Sequence, residues 1–327
     1  MRIPAIDIGP FLDGSGRAAV AERIARACEE IGFLTVTGHG IAPEVIERAF
    51  ERSRAFFDLP RARKDRCHPT GPSRQRGYHG FATRGLAYTL GEKAPPDLRE
   101  SYFLGPVDDH RERFRSHPDA ADAYAPNIYP DEPEGTAEAL VAIYRAYERL
   151  AARLLHAFAV ALAQPEDFFA GAIGRHFCIL SSHHYPPLGA PPAPGQLRTG
   201  AHTDYGALTI LAMTEADGGL EVRMPDGRWQ PVRPPPGALV VNLGDMMARW
   251  TNGRWTSTLH RVANPRELGN ARSRRQTIGY FTHPDFDATI EAIPTCVPPN
   301  EAPKHPPISA GAHIAAKITA SHEGASK

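Results

Sequence analysis

The segment Gly200-Ala201-His202-Thr203-Asp204 sets an imidazole and a carboxylate two residues apart. In extended chain, residues i and i+2 project to the same side, so His202 and Asp204 can aim at one point. A third donor stands in Thr258-Leu259-His260-Arg261-Val262, with 55 residues between Asp204 and His260. Two imidazoles and one carboxylate on one face of an octahedron leave positions open, which suits Fe(II) that must bind a co-substrate and O2 together. Zinc would close a tetrahedron or keep a single position for water. The chain has 15 histidines, so an H-x-D also arises by chance and needs company before it means a metal site.

That company follows His260 by fifteen positions, in Arg275-Gln276-Thr277-Ile278-Gly279-Tyr280-Phe281. On a strand, Arg275 and Thr277 face the same way. A guanidinium grips a carboxylate with two charge-assisted hydrogen bonds in a way that lysine cannot copy. The pair suits the far carboxylate of 2-oxoglutarate.

Weaker candidates surround these. Arg198, just before the H-x-D segment, is placed either to hold an acidic substrate or to serve at the surface. Asp245, in Asn242-Leu243-Gly244-Asp245-Met246, reads as the cap of a short helix. Arg261 neighbours a ligand and points away from it on a strand, which favours a salt bridge. Trp229, Trp250 and Trp255 read as core or rim. Substrate choice is expected to fall to the loop-rich segment 72–106 and the mouth of the site, with Tyr78, Phe103, Tyr205 and Phe281 as candidate contacts, because small-molecule pockets are mostly apolar with a few placed polar groups.

The elements that must position these groups change character along the chain. Val20, Ile24, Cys28 and Ile31 recur at helical spacing over residues 18 to 31, and a β-type run, Phe33 to Thr37, follows Gly32. A second helix starts after Pro43 and ends near Pro60. Residues 61 to 133 are rich in Pro, Gly and charge, with Tyr78, Phe81, Tyr88, Tyr102 and Phe103 among them, and suggest long loops over a pocket. Leu140, Ile143, Tyr144, Tyr147, Leu150, Leu154, Phe158 and Leu162 predict a long helix from Thr136 to about Leu162. Beyond residue 175 come short β-rich runs at 176–185, 207–214, 218–224, 238–243 and 274–282, separated by Gly, Pro and Asp turns, as in a sandwich, jelly roll or barrel. The Pro-rich stretch 186–195 reads as a loop within that unit, and the tail after about residue 320 is expected to fray.

Composition sets outer bounds. Hydrophobic residues make up 42% and charged residues 23% of 327, an ordinary globular balance. Lys+Arg and Asp+Glu both number 37, so the formal net charge is zero and no basic field attracts nucleic acid or anionic lipid. A small-molecule substrate is the expected partner. Cys28, Cys67, Cys178 and Cys296 are scattered with no C-x-x-C pair, which reads as reduced thiols in a cytoplasmic protein. No secretory signal and no membrane-spanning apolar run is evident. A monomer is compatible with all of this, and the oligomeric state stays open.

The run from Gly200 to Pro265, with IPAIDIGPFLDG and EEIGFLTVTGHGI near the start and HPPISAGAHIAAKITAS near the end, resembles the isopenicillin N synthase-like branch of the 2-oxoglutarate/Fe(II) dioxygenases. The resemblance covers most of the chain. It implies a mainly β fold, a double-stranded β-helix (jelly roll) core at 176–327, with residues 1–175 as a mixed helical and loop region packed on it in one integrated unit. It implies His202, Asp204 and His260 as iron ligands, with 2-oxoglutarate and O2 as co-substrates. Arg275 and Thr277 fall on the family's R-x-S, with Thr for Ser, and Tyr185 on the tyrosine of its N-Y-Y-P segment, which commonly bonds the co-substrate. Here His183 replaces the usual Asn and His184 the preceding aromatic, so either imidazole is a substrate contact or a structural group. The expected activity is oxidation of a C–H bond of a small organic molecule with release of succinate and CO2. Three alternatives stand beside it: an Fe(II) oxidase of the same fold that uses no 2-oxoglutarate, a non-catalytic binder of metal or organic acid, and a zinc hydrolase.

Overall fold

Leu239-Val240-Val241-Asn242-Leu243 is too short and too β-branched for a helix, and it forms a strand buried at every position. Strands of this kind build the centre of the protein, seen in a computed structural model that describes residues 3–70, 75–86 and 95–326. Tyr88 and its neighbours at 87–94 lie outside the described residues, as do 72–74 of the expected loop segment. The first half of the chain runs β1 (Ala5–Asp7), α1 (Gly9–Leu12), α2 (Arg17–Glu30), β2 (Phe33–Thr37), α3 (Pro43–Phe57), α4 (Arg61–Lys64), β3 (Gly77–His79), β4 (Glu100–Leu104) and α5 (Thr136–Ala161). The second runs β5 (Ile179–Tyr185), β6 (Thr199–His202), β7 (Leu208–Met213), β8 (Leu220–Arg223), β9 (Trp229–Pro231), β10 (Leu239–Leu243), α6 (Asp245–Trp250), β11 (His260–Val262), β12 (Arg275–Thr282), a small hairpin of β13 (Thr289–Ile290) with β14 (Ile308–Ser309), and α7 (Ala310–Ser326).

Two sheets face each other as a jelly roll. The larger has eight strands in the order β1-β2-β10-β7-β12-β5-β4-β3, and the smaller has four in the order β6-β11-β8-β9. Neighbours in both are antiparallel except β1 and β2. The period of two sorts β12 cleanly. Arg275, Thr277 and Phe281 line a cavity between the sheets, while Tyr280 on the other face packs edge-on to Tyr144 of α5 at 5.1 Å. The predicted stripe of α5, from Leu140 through Phe158, is buried against α2, α3 and the back of the large sheet. Each fully buried Leu or Ile there contributes roughly 1.5–3 kcal/mol.

Two expectations change. The stretch 61–133 holds more regular structure than its composition suggests, since β4 is buried end to end and pairs with β5. Its polar start is tolerated because Glu100 and Ser101 find buried partners in Lys64, Tyr78, His184 and His183. Residues 1–175 also do more than pack on the jelly roll, because β1 and β2 extend one edge of the large sheet and β4 and β3 the other.

Candidate active site

The small sheet delivers the three predicted donors to one place. His260 opens β11 directly opposite His202, the last residue of β6. Asp204 follows two residues later, and its Oδ1 lies 3.7 Å from His202 Nε2 and 3.6 Å from His260 Nε2. His202 Nδ1 sits 2.8 Å from the Gly200 carbonyl and His260 Nδ1 3.0 Å from the Thr258 carbonyl. Carbonyls only accept, so each Nδ1 carries the proton and each Nε2 turns a lone pair inward. Asp204 Oδ2 accepts from Thr209 Oγ1 at 2.5 Å and from Asn242 Nδ2 at 2.7 Å, which leaves Oδ1 for the same point. Three lone pairs converge in a buried setting that could hold a metal ion.

The loop carrying Asp204 is itself pinned. Asp245 N donates to the Asp204 carbonyl at 2.7 Å and Met246 N to the Gly206 carbonyl at 3.1 Å, so the first turn of α6 holds the turn after the H-x-D segment. Gly244 makes this approach possible, since a Cβ there would lie 2.2 Å from the Gly206 carbonyl oxygen. Asp245 occupies the first helical position rather than the cap, and its carboxylate accepts from Thr203 Oγ1 and pairs with Lys317 of α7.

Electrostatics favour a cation at the centre. Burial, then the neighbouring His260, pushes His202 down to about 3, so its ring is neutral. Burial by itself would raise the Asp204 carboxyl, yet His260, His202 and the Thr209 hydroxyl hold it well below the usual carboxylate range. Burial also opposes charge on His260, and the Asp204 carboxylate beside it outweighs that and raises its pKa. An ionised, buried carboxylate between two imidazoles is a set that a divalent ion would satisfy.

The same cavity, about 190 Å³, is lined on the large sheet by Arg275, Thr277 and Tyr185. Arg275 faces Tyr185 across the β12–β5 pair, with its guanidinium 5.1 Å from the centre of that ring. It is 2% exposed, and its Nη1 has no hydrogen-bond partner. A buried, unpartnered guanidinium nitrogen costs several kcal/mol unless an anion arrives, by order of magnitude. Thr277 offers its hydroxyl from the same face. The donor set at one side and the orphaned guanidinium at the other fit a metal and a dicarboxylate together.

The remaining candidates divide. His183, Phe103, Tyr205 and Phe281 line the cavity. Tyr78 does not, because its hydroxyl turns away to Glu100 Oε2 at 2.5 Å and its ring packs on Phe56 and Phe57. Arg198 is also outside it. Fully buried, it donates to the backbone carbonyls of Pro186 and Asp217 and lies 6.0 Å from the centre of the Tyr185 ring, so it is no surface residue. His184 likewise faces away. It hydrogen-bonds Glu100 at 2.8 Å, accepts from Arg274 at 3.0 Å and stacks on Phe57. Arg261 pairs with Glu221 at 2.8 Å as expected, with Trp229 beneath it.

Residues 3–132 match the family described as the non-haem dioxygenase in morphine synthesis N-terminal region, and residues 176–284 match the 2OG-Fe(II) oxygenase superfamily. A 2-oxoglutarate-Fe(II) type oxidoreductase of Aspergillus fumigatus is 30% identical over 99% of this chain and 94% of its own length. The chain belongs to the 2OG-Fe(II) oxygenase superfamily. A homoarginine-6-hydroxylase of Arabidopsis thaliana is 32% identical over 90% of the chain and 88% of its own. Among solved structures, a Neurospora crassa protein in complex with alpha-KG and thymine superimposes with a TM-score of 0.84 at 29% identity, covering 97% of this chain and 96% of that one. The protein is accordingly an Fe(II)- and 2-oxoglutarate-dependent dioxygenase, with Fe(II), 2-oxoglutarate and O2 as its cofactor and co-substrates.

The structure adds residues to this oxygenase's site that sequence reasoning passed over. Thr209 and Asn242 orient Asp204 from β7 and β10. Asn242 carries a legible signal, a lone amide inside Leu-Val-Val-Asn-Leu that must find a partner once buried. Arg99 and Ser101 line the cavity from β4 and the residue before it, and nothing in the surrounding Pro-, Gly- and charge-rich text marks them.

Proposed function

We propose that His202 Nε2, Asp204 Oδ1 and His260 Nε2 hold Fe(II), and that Arg275, Thr277 and Tyr185 receive the distal carboxylate of 2-oxoglutarate. The observation that carries this reading is the buried Arg275 Nη1 without a partner in the cavity that the three metal donors share. When bound, iron and the keto acid supply the oxidising power, with 2-oxoglutarate and O2 giving succinate and CO2 as a substrate C–H bond is oxidised.

The chain's own residues supply positioning. Gly200 and Thr258 carbonyls fix both imidazoles with Nδ1 protonated, and Thr209 with Asn242 fixes which carboxylate oxygen faces the metal. Arg275 offers two parallel donors to a carboxylate and Thr277 one more, which sets the co-substrate's direction in the cavity. Ile314 and Ile318 of α7, with Phe103 and Phe281, present apolar surface that excludes water around the site.

The substrate in this reading is a small organic molecule. Relatives named for homoarginine, proline and validamycin A hydroxylation or dioxygenation support that class. Zero net charge and four free, buried cysteines support a cytoplasmic protein without nucleic-acid or membrane partners, built as one unit around the shared sheet. Anaerobic metal titration followed by a succinate-release assay tests the proposal. The expected result is one tight Fe(II) site lost in His202→Ala, Asp204→Ala and His260→Ala, and succinate formation that needs 2-oxoglutarate. Full metal content in His260→Ala, or turnover without 2-oxoglutarate, overturns it.

A further inference from the structure

Arg275 is not the only arginine on the cavity wall. Arg99 and Arg84 line it as well, and among the described residues the only carboxylate in the lining is Asp204, which the metal centre uses. Arg99 stands one residue before Glu100, which pairs with His184, so it lies level with Tyr185 on the side of β5 away from Arg275. The backbones of Arg99 and Arg275 thus stand on opposite sides of that of Tyr185.

Arg99 is held in a fixed pose. Its Nη2 pairs with Asp97 Oδ2 at 3.2 Å, and Asp97 Oδ1 accepts from Gly200 N at 2.9 Å, tying the arginine to the strand that carries His202. Its Nη1 lies 2.9 Å from His183 Nε2 and 3.1 Å from His183 Nδ1, against the ring, while Ser101 Oγ lies 2.8 Å from His183 Nδ1. Burial, then the charges of Arg99 and Arg275, holds His183 well below the ordinary histidine range, so the ring is neutral. A neutral ring can share a hydrogen bond with Ser101 through Nδ1 while both of its nitrogens lie against the Arg99 guanidinium. His183 is thereby a positioning residue, and its exchange for the family's usual Asn gains a reason. A guanidinium has five N–H donors, and these partners cannot use them all. Phe103 lines the same cavity, with Arg84 over its ring at 5.5 Å.

We infer that Arg99, oriented by His183 and Asp97 and aided by Arg84, binds the carboxylate of the primary substrate, which is a small monocarboxylic acid with an apolar body. The inference rests on the reading that Arg275 serves 2-oxoglutarate. A second carboxylate then has its own guanidinium, carried by the chain on the other side of β5, and the apolar body has Phe103, Ile314 and Ile318. A charge-assisted pair in a desolvated site discriminates against a neutral isostere, because the donors that Asp97 does not take then meet only a neutral acceptor.

The test uses the full chain loaded with Mn(II) under nitrogen and reads thermal stabilisation. Adding 2-oxoglutarate to the wild type comes first, and no rise in Tm there would mean that the co-substrate reading has failed and not the inference. With 2-oxoglutarate saturating, phenylacetate, 3-phenylpropionate and cyclohexylacetate are each titrated beside the matching primary amide. At least one acid is expected to bind about tenfold or more tighter than its amide, and Arg99→Gln is expected to bring that ratio close to one. Arg99→Lys, which keeps the charge opposite Asp97, is expected to fold and to keep a reduced preference. Acids and amides binding alike in the wild type overturn the inference, whatever the variants do. So does an Arg99→Gln protein whose affinity for 2-oxoglutarate falls as far as that of Arg275→Lys, since Arg99 would then belong to the co-substrate.

Discussion

Asn242 donates its side-chain N–H to Asp204 Oδ2 across 2.7 Å, from the centre of the large sheet to the loop that ends the metal motif on the small one. The contact joins the two halves of the jelly roll at the carboxylate. It also leaves Asp204 with a single oxygen facing His202 and His260.

Asn242→Ala should therefore weaken Fe(II) binding by about 10–100-fold, the usual effect of losing a group that orients a ligand. Thr209 still holds Oδ2 in that variant, so binding survives, whereas Asp204→Ala removes the ligand and should abolish it. Anaerobic Fe(II) titration compares the three proteins. An unchanged Kd in Asn242→Ala would show that the carboxylate needs no help from the large sheet.

Arg275→Lys keeps a positive charge and loses the planar fork. With the guanidinium buried, the affinity for 2-oxoglutarate should fall by about 2–5 kcal/mol, which is roughly 30-fold or more. Fe(II) content should hold, because Arg275 makes no contact with His202, Asp204 or His260 among the described hydrogen bonds and ion pairs. Equal loss of iron and co-substrate would instead point to collapse of the cavity.

How much of this the residues announce depends on whether a role is local. The period of two sets His202 beside Asp204 and Arg275 beside Thr277, and both pairs share one cavity. The helical period of α5 and the β-rich runs after residue 175 also carry through. Other roles depend on partners far away in the chain. Tyr78 reads as a pocket aromatic until Glu100, 22 residues on, takes its hydroxyl to the other side of the sheet. Arg198 reads as either a substrate grip or a surface residue because its carbonyl partners at Pro186 and Asp217 are set only by the fold. Arg99 is silent for the same reason, since its meaning comes from His183 on the neighbouring strand, 84 residues later.

The Glu100 cluster makes a prediction about pH. Its carboxylate accepts from Lys64 at 2.8 Å, from Tyr78 at 2.5 Å and from His184 at 2.8 Å, all buried. Burial alone would raise the Glu100 pKa, but these contacts outweigh it and the net direction is downward from 4.5. The unfolded chain then binds the proton first as pH drops. The stability that Glu100 contributes is present above about pH 4.5 and is lost as pH falls through its lower folded-state value. Glu100→Gln should be less stable at pH 7 and show a flatter fall in Tm below that point than the wild type. Lys64→Met, which leaves the buried carboxylate without its cation, should cost about 3–5 kcal/mol at pH 7 by chemical denaturation. Parallel Tm curves for wild type and Glu100→Gln would place the acid sensitivity elsewhere.

Phe103 and Tyr78 lie on adjacent paired strands, and their rings do different work. Phe103 lines the cavity and touches the rings of His79 and His183, so it forms part of the surface against which a substrate would rest. Tyr78 packs behind it against Phe56 and Phe57, with its hydroxyl on Glu100. Phe103→Ala should open space beside the substrate and raise the fraction of 2-oxoglutarate consumed without substrate oxidation, while Fe(II) binding stays near the wild-type value. Tyr78→Phe should instead lower stability by about 1.5–3 kcal/mol, the worth of a hydrogen bond to a charged group, and leave the ratio of succinate to oxidised substrate as it was. Measuring that ratio beside the unfolding free energy in both variants separates the two roles. A changed ratio in Tyr78→Phe with full stability would return Tyr78 to the substrate pocket, and an unchanged ratio in Phe103→Ala would move the substrate's apolar contact towards Tyr205, Ile314 and Ile318.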